Sequence, residues 1–260
     1  MADSKQRHRY FFDFFRLSLA AEFSRDMARN KLGVAWWLLE PALMLAVFYL
    51  VFGKILMRGG PDFIYDLLVG VALWTAFSNT VQRCTASVER ASQLMQQVYV
   101  PKILLPLICV ATEAIKLLIL MGVLLGILAV TIGPSATWVW LPVILVLQTL
   151  FAGACGIITG LAVPFMNDIK YVVTLLLRLG MFMSGVFYRI DEAVPVEYRD
   201  YLMLNPLATL IAETRHILVA GTAPSGPWML YTLAVSLILL AFGSLLITRL
   251  DRVYPRLLAK

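Results

Sequence analysis

Six apolar runs of membrane-crossing length constrain this chain before anything else does. They lie at Val34–Leu56, Phe63–Val81, Lys102–Ile132, Trp138–Pro164, Ile169–Tyr188 and Trp228–Thr248. A helix needs about 20 apolar residues to cross about 30 Å of hydrocarbon, because each residue adds about 1.5 Å. Hydrophobic residues make up 60% of the chain, well above the roughly 45–50% of an ordinary soluble domain. The expected fold is therefore an all-α polytopic membrane protein, one domain of six transmembrane helices. Trp36 and Trp37 at the start of the first run, and Trp138 and Trp140 beside the fourth, fit the aromatic belts of a bilayer interface.

The basic residues orient these spans. With both termini inside, fifteen of the 22 Lys and Arg fall in inner segments and four in outer loops. That excess predicts cytoplasmic termini. The basic residues follow the membrane edges and form no separate stripe with interleaved aromatics, so no nucleic-acid partner is expected. Cys84, Cys109 and Cys155 are scattered and odd in number, which argues against a disulfide framework or a metal site.

Three polar stretches separate the spans. Residues 7–31 place Tyr10, Phe11, Phe12, Phe14 and Phe15, then Ala20, Phe23 and Met27, opposite Glu22, Arg25, Asp26 and Arg29. This is the pattern of a helix lying in the interface plane. Residues 83–99 carry a narrow apolar stripe at Cys84, Val88, Ala91, Met95 and Val98, the period of a helix with one dry side. Arg83, Glu89, Arg90, Gln93, Gln96 and Gln97 lie on its other faces, and Val100-Pro101 ends it, because a residue before proline leaves the helical region. On the inner side of the membrane, this helix is either a docking surface for a soluble partner or a solvated loop helix. Residues 189–221 form the third stretch. Asn205-Pro206 is a helix start with a capping side chain and proline at the first position, Leu207, Leu210, Ile211 and Leu218 give an apolar face, and Gly221 is a stop. Tyr198, Tyr201 and Leu202 mark a shorter piece before it. Two short helices dipping into the outer leaflet are expected.

Catalytic signatures are missing. The chain has no G-x-x-x-x-G-K-[ST] loop, so it cannot hold ATP by that device. Its two histidines, His8 and His216, have no ligand or nucleophile at useful spacing. Ser184-Gly185 lacks the G-x-S-x-G context of a serine hydrolase. No catalytic residue, metal or cofactor is expected. An intramembrane enzyme acting on lipid or peptide remains the rival of a different class.

Charges inside the spans are the next candidates. Glu113 and Lys116 are three apart and share a helix face, and Arg178 lies about as deep on the fifth run. Such groups face a partner or a wet cavity. An internal Glu113–Lys116 or Glu113–Arg178 pair is the simpler reading, and contact with a passing substrate the sharper one. Aromatics form a second set: Tyr49 and Phe52 on the first span, Trp74 deep in the second, and Phe182, Phe187 and Tyr188 on the outer half of the fifth. They suit a path for a glycan, since sugar rings stack on aromatic faces, but helix packing uses the same residues. Gly153, Gly156 and Gly160 resemble a close-approach face.

Taken in order, several motifs resemble one known family. They are Arg29-Asn30-Lys31-Leu32-Gly33-Val34-Ala35-Trp36 with Glu40-Pro41, Val98-Tyr99-Val100-Pro101-Lys102 with Pro106, Ser184-Gly185-Val186-Phe187-Tyr188, and Asn205-Pro206-Leu207. The chain is similar to the membrane subunit of bacterial ATP-binding-cassette type-2 exporters of polysaccharides and polyol phosphates. Asn167-Asp168 departs from the Arg-Asp that the family often has there. The resemblance implies a homodimeric permease in the inner membrane, bound to two copies of a separate ATPase that holds ATP and Mg. It implies a lipid-linked glycan substrate: O-antigen, or else capsule or teichoic acid. Residues 83–99 become a coupling helix, the first and fifth spans line the channel, and 189–221 gate its outer mouth. A small-molecule exporter of the same superfamily is the near alternative.

Overall fold

A computed structural model describes residues 2–29, 33, 35–55, 62–87, 103–166 and 168–250. Among them every regular element is helical. Helix α1 is Ala2–Arg29. Helix α2, Ala35–Phe48, continues as a π-helical stretch over Tyr49–Ile55. Helix α3 is Phe63–Thr85, α4 is Leu104–Thr131, and a 3-10 turn at Ala136–Trp140 leads into α5, Leu141–Ala162. Then come α6 (Ile169–Met183), α7 (Ile190–Ala193), α8 (Val196–Met203), α9 (Pro206–Leu218) and α10 (Gly226–Leu250).

Five segments are long and apolar enough to cross a membrane: Ala35–Ile55, Phe63–Thr85, Leu104–Thr131, Ala136–Ala162 and Gly226–Leu246. The expected span at 169–188 is the exception. Its helix stops at Met183 after 15 residues, about 22 Å of rise and short of the roughly 20 residues a crossing needs. The break is local. Ser184 Oγ donates back to the Gly180 carbonyl, and Gly185 takes φ +66°, a left-handed conformation that favours glycine. The second span runs longer than expected, to Thr85, so Arg83 lies on the last turn of α3 and not at the head of a separate helix.

The core forms where α3 meets α4 and α5. Glycines permit it. A Cβ on Gly156 would stand 2.7 Å from Cys84 Cβ, and one on Gly160 would stand 2.5 Å from the Cys84 carbonyl oxygen. The helices therefore touch nearly backbone to backbone, as small-residue faces allow in lipid. Phe77 stacks on Phe151 at 5.5 Å between centroids, and the buried Gln148 donates to the Leu73 carbonyl at 3.0 Å. Helix α2 leaves most of its surface exposed and meets this core along one edge, through Met44, Leu45 and Phe48.

The helix at Asn205-Pro206 forms as its cap predicts: Asn205 Oδ1 accepts from the Leu207 N–H at 3.1 Å. Its surroundings differ from the expectation of a helix lying in the outer leaflet. Nearly all of α9 is buried, including Glu213, Thr214 and Arg215, so it is part of the core of the bundle. Its predecessor α8 is the exposed one, with Tyr198 58% and Tyr201 72% exposed.

Helix α1 also reverses an expectation. Phe14 and Phe15 pack on Leu104 and Ile108, and Phe23 meets Trp37 edge-on at 5.6 Å. Ala20 and Met27, however, are exposed, while Glu22 and Asp26 turn inward. A membrane bundle does not have to put its apolar face inside. Lipid accepts Met27, and Glu22 and Asp26 find cations in the protein.

Candidate functional site

Those cations are Arg83 and Lys116. Arg83, on the last turn of α3, donates to both carboxylate oxygens of Asp26 at 2.7 and 2.9 Å and to Glu22 at 2.9 Å. It also stands 3.0 Å from Glu113 on α4. Lys116, one turn along α4, donates to Asp26 at 2.7 Å and to Glu113 at 2.8 Å. Its ammonium sits 4.9 Å from the ring centre of Trp37, within cation–π range. Glu113 is only 4% exposed. A buried carboxylate is tolerable when two cations hydrogen-bond it, and losing either would leave an uncompensated charge.

Asp26 lies outside the spans, and its acidity reflects the cluster. Burial raises its pKa, but the hydrogen bonds from Arg83 and Lys116 more than reverse this and bring it from the ordinary 3.8 to about 2. Helix α1 is thus pinned by charge to both α3 and α4.

Of the two internal pairs expected for Glu113, the structure makes the one with Lys116. Arg178 does not join it. It stands exposed on α6 and lines a groove of about 290 Å³ with Glu40, Ser78, Asn79, Gln82 and Thr174. A larger cavity of about 460 Å³ adjoins it, walled by Arg25, Asp26, Trp36, Trp37, Arg83, Glu113 and Lys116. Glu40, Thr75 and Asn79 belong to both walls. Together they make a polar cleft bounded by α1, α2, α3, α4 and α6.

The aromatic candidates divide. Phe187 is buried and gathers Phe48 (4.6 Å), Phe52 (5.2 Å, stacked) and Phe182 (5.5 Å). Tyr49 lies over Gly53, where a Cβ would stand 3.0 Å from its ring. Tyr188 donates its hydroxyl to the Phe182 carbonyl at 3.0 Å. Phe182 is 58% exposed and presents a free face. Trp74 does not: it is 5% exposed, packed on Phe77 at 5.9 Å and over Gly180. Only an edge of Trp74 reaches the groove, so its main work inside one protomer is packing.

At the other end of α3 the organiser is Arg215 of α9. It donates to the carbonyls of Asp66 (3.0 Å), Gly185 (2.8 Å), Val186 (2.8 Å) and Tyr188 (2.9 Å). One buried guanidinium thereby holds the non-helical turn after α6 against α3. Arg189 adds an ion pair to Asp66 at 3.1 Å. Sequence reasoning used Arg215 only to count charges. Its position was the available signal: it falls four residues after Ile211 and three before Leu218, on the apolar face of α9.

Glu40, Asn79 and Asp66 were also missed as site residues, since a lone polar group in an apolar run has no periodic partner to reveal it. Glu89, Arg90, Gln93, Gln96 and Gln97 lie outside the described residues. Among those described, no group of three His, Cys, Asp or Glu side chains has the geometry to hold a metal ion.

Comparison with known proteins fits this architecture. The family description "ABC-2 type transporter" matches residues 14–219. The chain is 25% identical to the O-antigen export system permease protein RfbA of Klebsiella pneumoniae, over 82% of this chain and 83% of that one. It is 26% identical to the RfbA protein of Myxococcus xanthus, over 80% and 81%. To the polysialic acid transport protein KpsM of Escherichia coli it is 25% identical, over 89% and 93%.

Proposed function

The chain belongs to the ABC-2 type transporter family, a multi-pass membrane transport component, and from that premise we propose that it forms the channel of an ATP-driven polysaccharide exporter. Its cargo is a lipid-linked glycan, O-antigen in the first place, carried across a bacterial inner membrane. The observation that carries this reading is the polar cleft lined by Glu40, Asn79, Arg83, Glu113, Lys116 and Arg178. Polar groups are rare in spans because lipid does not solvate them. A hydroxyl-rich passenger does.

The motor is a separate cassette ATPase, two copies on a permease homodimer, with both termini of this chain on the cytoplasmic side. ATP and Mg bind there. Residues 83–99 serve as the coupling helix, and the charge cluster supports a route for its motion. Arg83, on the last turn of α3 where that segment begins, grips α1 through Glu22 and Asp26 and reaches α4 through Glu113, so displacement of one helix carries the others. Helices α7 to α9 form the outer gate, and Phe182 offers a stacking face towards it. The α8–α9 pair favours a glycan over a small molecule as cargo.

The test is genetic and direct. Depleting the chain should remove long-chain glycan from the cell surface and leave lipid-linked glycan inside. Re-expressing it with a cassette ATPase of intact phosphate loop should restore export, and an ATPase with a disabled loop should not. Unchanged surface glycan on depletion would overturn the reading.

A further inference from the structure

A second, apolar groove of about 770 Å³ runs between α4 and α5, with Leu240 of α10 in its wall. Leu117 belongs to this wall and to that of the polar cleft, and so separates the two. The groove follows from where α4 and α5 touch. At Gly153 they are in contact, for a Cβ there would stand 3.2 Å from a methyl of Val110. About three turns further along α4 the contact is gone: a Cβ on Gly122 would meet nothing within 4 Å. From there towards Trp138 the protein leaves the seam between the two helices unfilled.

The lining narrows the occupant. Among the described residues no charged side chain lines the groove. Thr149 donates its hydroxyl to the Leu145 carbonyl at 2.8 Å. The Trp138 indole N–H is buried without a hydrogen-bond partner, a costly state for a donor, and an apolar groove does not hold ordered water to relieve it. Size excludes a helix. Leu107 to Leu125 rise about 27 Å along α4, and a helix of that length and about 10 Å across displaces roughly 2,100 Å³, nearly three times the space. A hydrocarbon chain fits. An apolar cavity of about 150 Å³ takes one benzene, so about 770 Å³ takes roughly thirty carbons by the same measure, the content of two acyl chains. Both walls belong to segments of membrane-crossing length, and Leu118 and Val146 in the lining are 58% and 64% exposed. The groove is therefore continuous with the lipid-facing surface.

We propose that the α4–α5 groove is the seat of one diacyl phospholipid of the bilayer, its chains packed along Leu118, Gly122, Val146 and Leu150 and an ester carbonyl accepting the Trp138 indole N–H. The lipid is structural. It fills the seam behind Leu117 and braces α4 on one side, while Arg83 and Asp26 hold Glu113 and Lys116 on the other. The assignment is independent of the cargo.

The experiment uses the full chain in nanodiscs of dioleoyl phosphatidylcholine doped with a phosphatidylcholine that carries a mid-chain diazirine. After irradiation, labelled residues are mapped by mass spectrometry. Wild type should carry label at Leu118, Val146 and Leu150 in preference to Leu237 and Ile238, exposed apolar residues of α10 outside the groove. Two substitutions test the seat at positions where an added Cβ meets nothing within 4 Å. Gly122→Leu fills the groove, whereas Gly126→Leu, one turn on, lies outside its lining. Gly122→Leu should lose the groove label and the phospholipid that native mass spectrometry finds retained after detergent exchange. Gly126→Leu should keep both. Trp138→Phe should weaken retention of the ester-linked phospholipid to the level of its ether-linked analogue. Equal labelling of the groove and of Leu237 and Ile238 in wild type, a readout that needs no variant, would make the groove ordinary lipid-facing surface and overturn the proposal. Undiminished groove label in Gly122→Leu would overturn it as well. Dissociation of a permease pair by Gly122→Leu would assign the groove to a second copy of the chain and overturn the lipid. Equal retention of the ester and ether lipids by wild type would overturn the Trp138 contact.

Discussion

Asp26 and Arg83, 57 positions apart, meet through two hydrogen bonds of 2.7 and 2.9 Å. This pair joins α1 to the last turn of the second span. The first prediction concerns it. Arg83→Ala should destabilise the protein by about 2 kcal/mol, below the ~3–5 kcal/mol for breaking a fully buried pair, because Arg83 is 20% exposed. Asp26→Asn should cost less in the Arg83→Ala background than in wild type, read as thermal unfolding in detergent. Equal costs in the two backgrounds would mean that the contact to Glu113 dominates.

The same aspartate predicts a pH dependence. Its folded pKa, about 2, lies below the ordinary 3.8, so the charged form is the stabilised one. That contribution is complete above the unfolded value and is lost as pH falls through the folded one. Wild type should lose thermal stability between about pH 4 and 2 in excess of Asp26→Asn, and match its slope above pH 5. A parallel curve for the variant across the acid range would remove Asp26 from the account.

Packing gives the third prediction. A methyl at Gly160 would stand 2.5 Å from the Cys84 carbonyl oxygen, a backbone atom. Gly160→Ala should therefore cost about 1–3 kcal/mol. Gly122→Ala, with nothing within 4 Å of its Cβ, should be near neutral. Melting curves of the two purified variants decide this, and equal midpoints would contradict the close approach of α3 and α5.

Two aromatics separate channel from core. Trp74→Ala should cost about 3–5 kcal/mol, as for a large buried aromatic, and lower export by lowering the amount of folded protein. Phe182→Ala, at a side chain 58% exposed, should leave melting unchanged and slow export per folded complex. Surface glycan normalised to folded protein is the measurement. Normal transport in Phe182→Ala would return that ring to a lipid-facing role.

The stretch proposed for coupling carries the last prediction. Charge reversal at Arg90, or bulky replacements at Gln93 or Gln97, should separate ATP hydrolysis from export while membrane insertion stays normal. Surface glycan and ATPase rate in the reconstituted complex should part company. If both remain at wild-type levels, the docking role of this stretch is lost.

The residues alone decide whatever the bilayer decides. Hydrocarbon enforces long apolar helices, so Phe63–Thr85, Leu104–Thr131 and Ala136–Ala162 could be drawn to within a few residues at each end. Local chemistry is equally legible: Asn205 caps α9 because the cap bond spans two residues. Gly156 and Gly160 could be read as a contact face, since only helix–helix approach rewards missing side chains at that spacing. Tertiary structure decided the rest. Glu22 and Asp26 face inward because Arg83 and Lys116, distant in sequence, sit opposite them. The turn that follows Met183 is held against α3 by Arg215 from α9, which captures the carbonyls of Gly185, Val186 and Tyr188. Lys116, not Arg178, holds Glu113 because helix rotation within the bundle sets which charges meet. Lipid solvation acts on each residue by itself, whereas pairing between charges depends on where another part of the chain has come to rest.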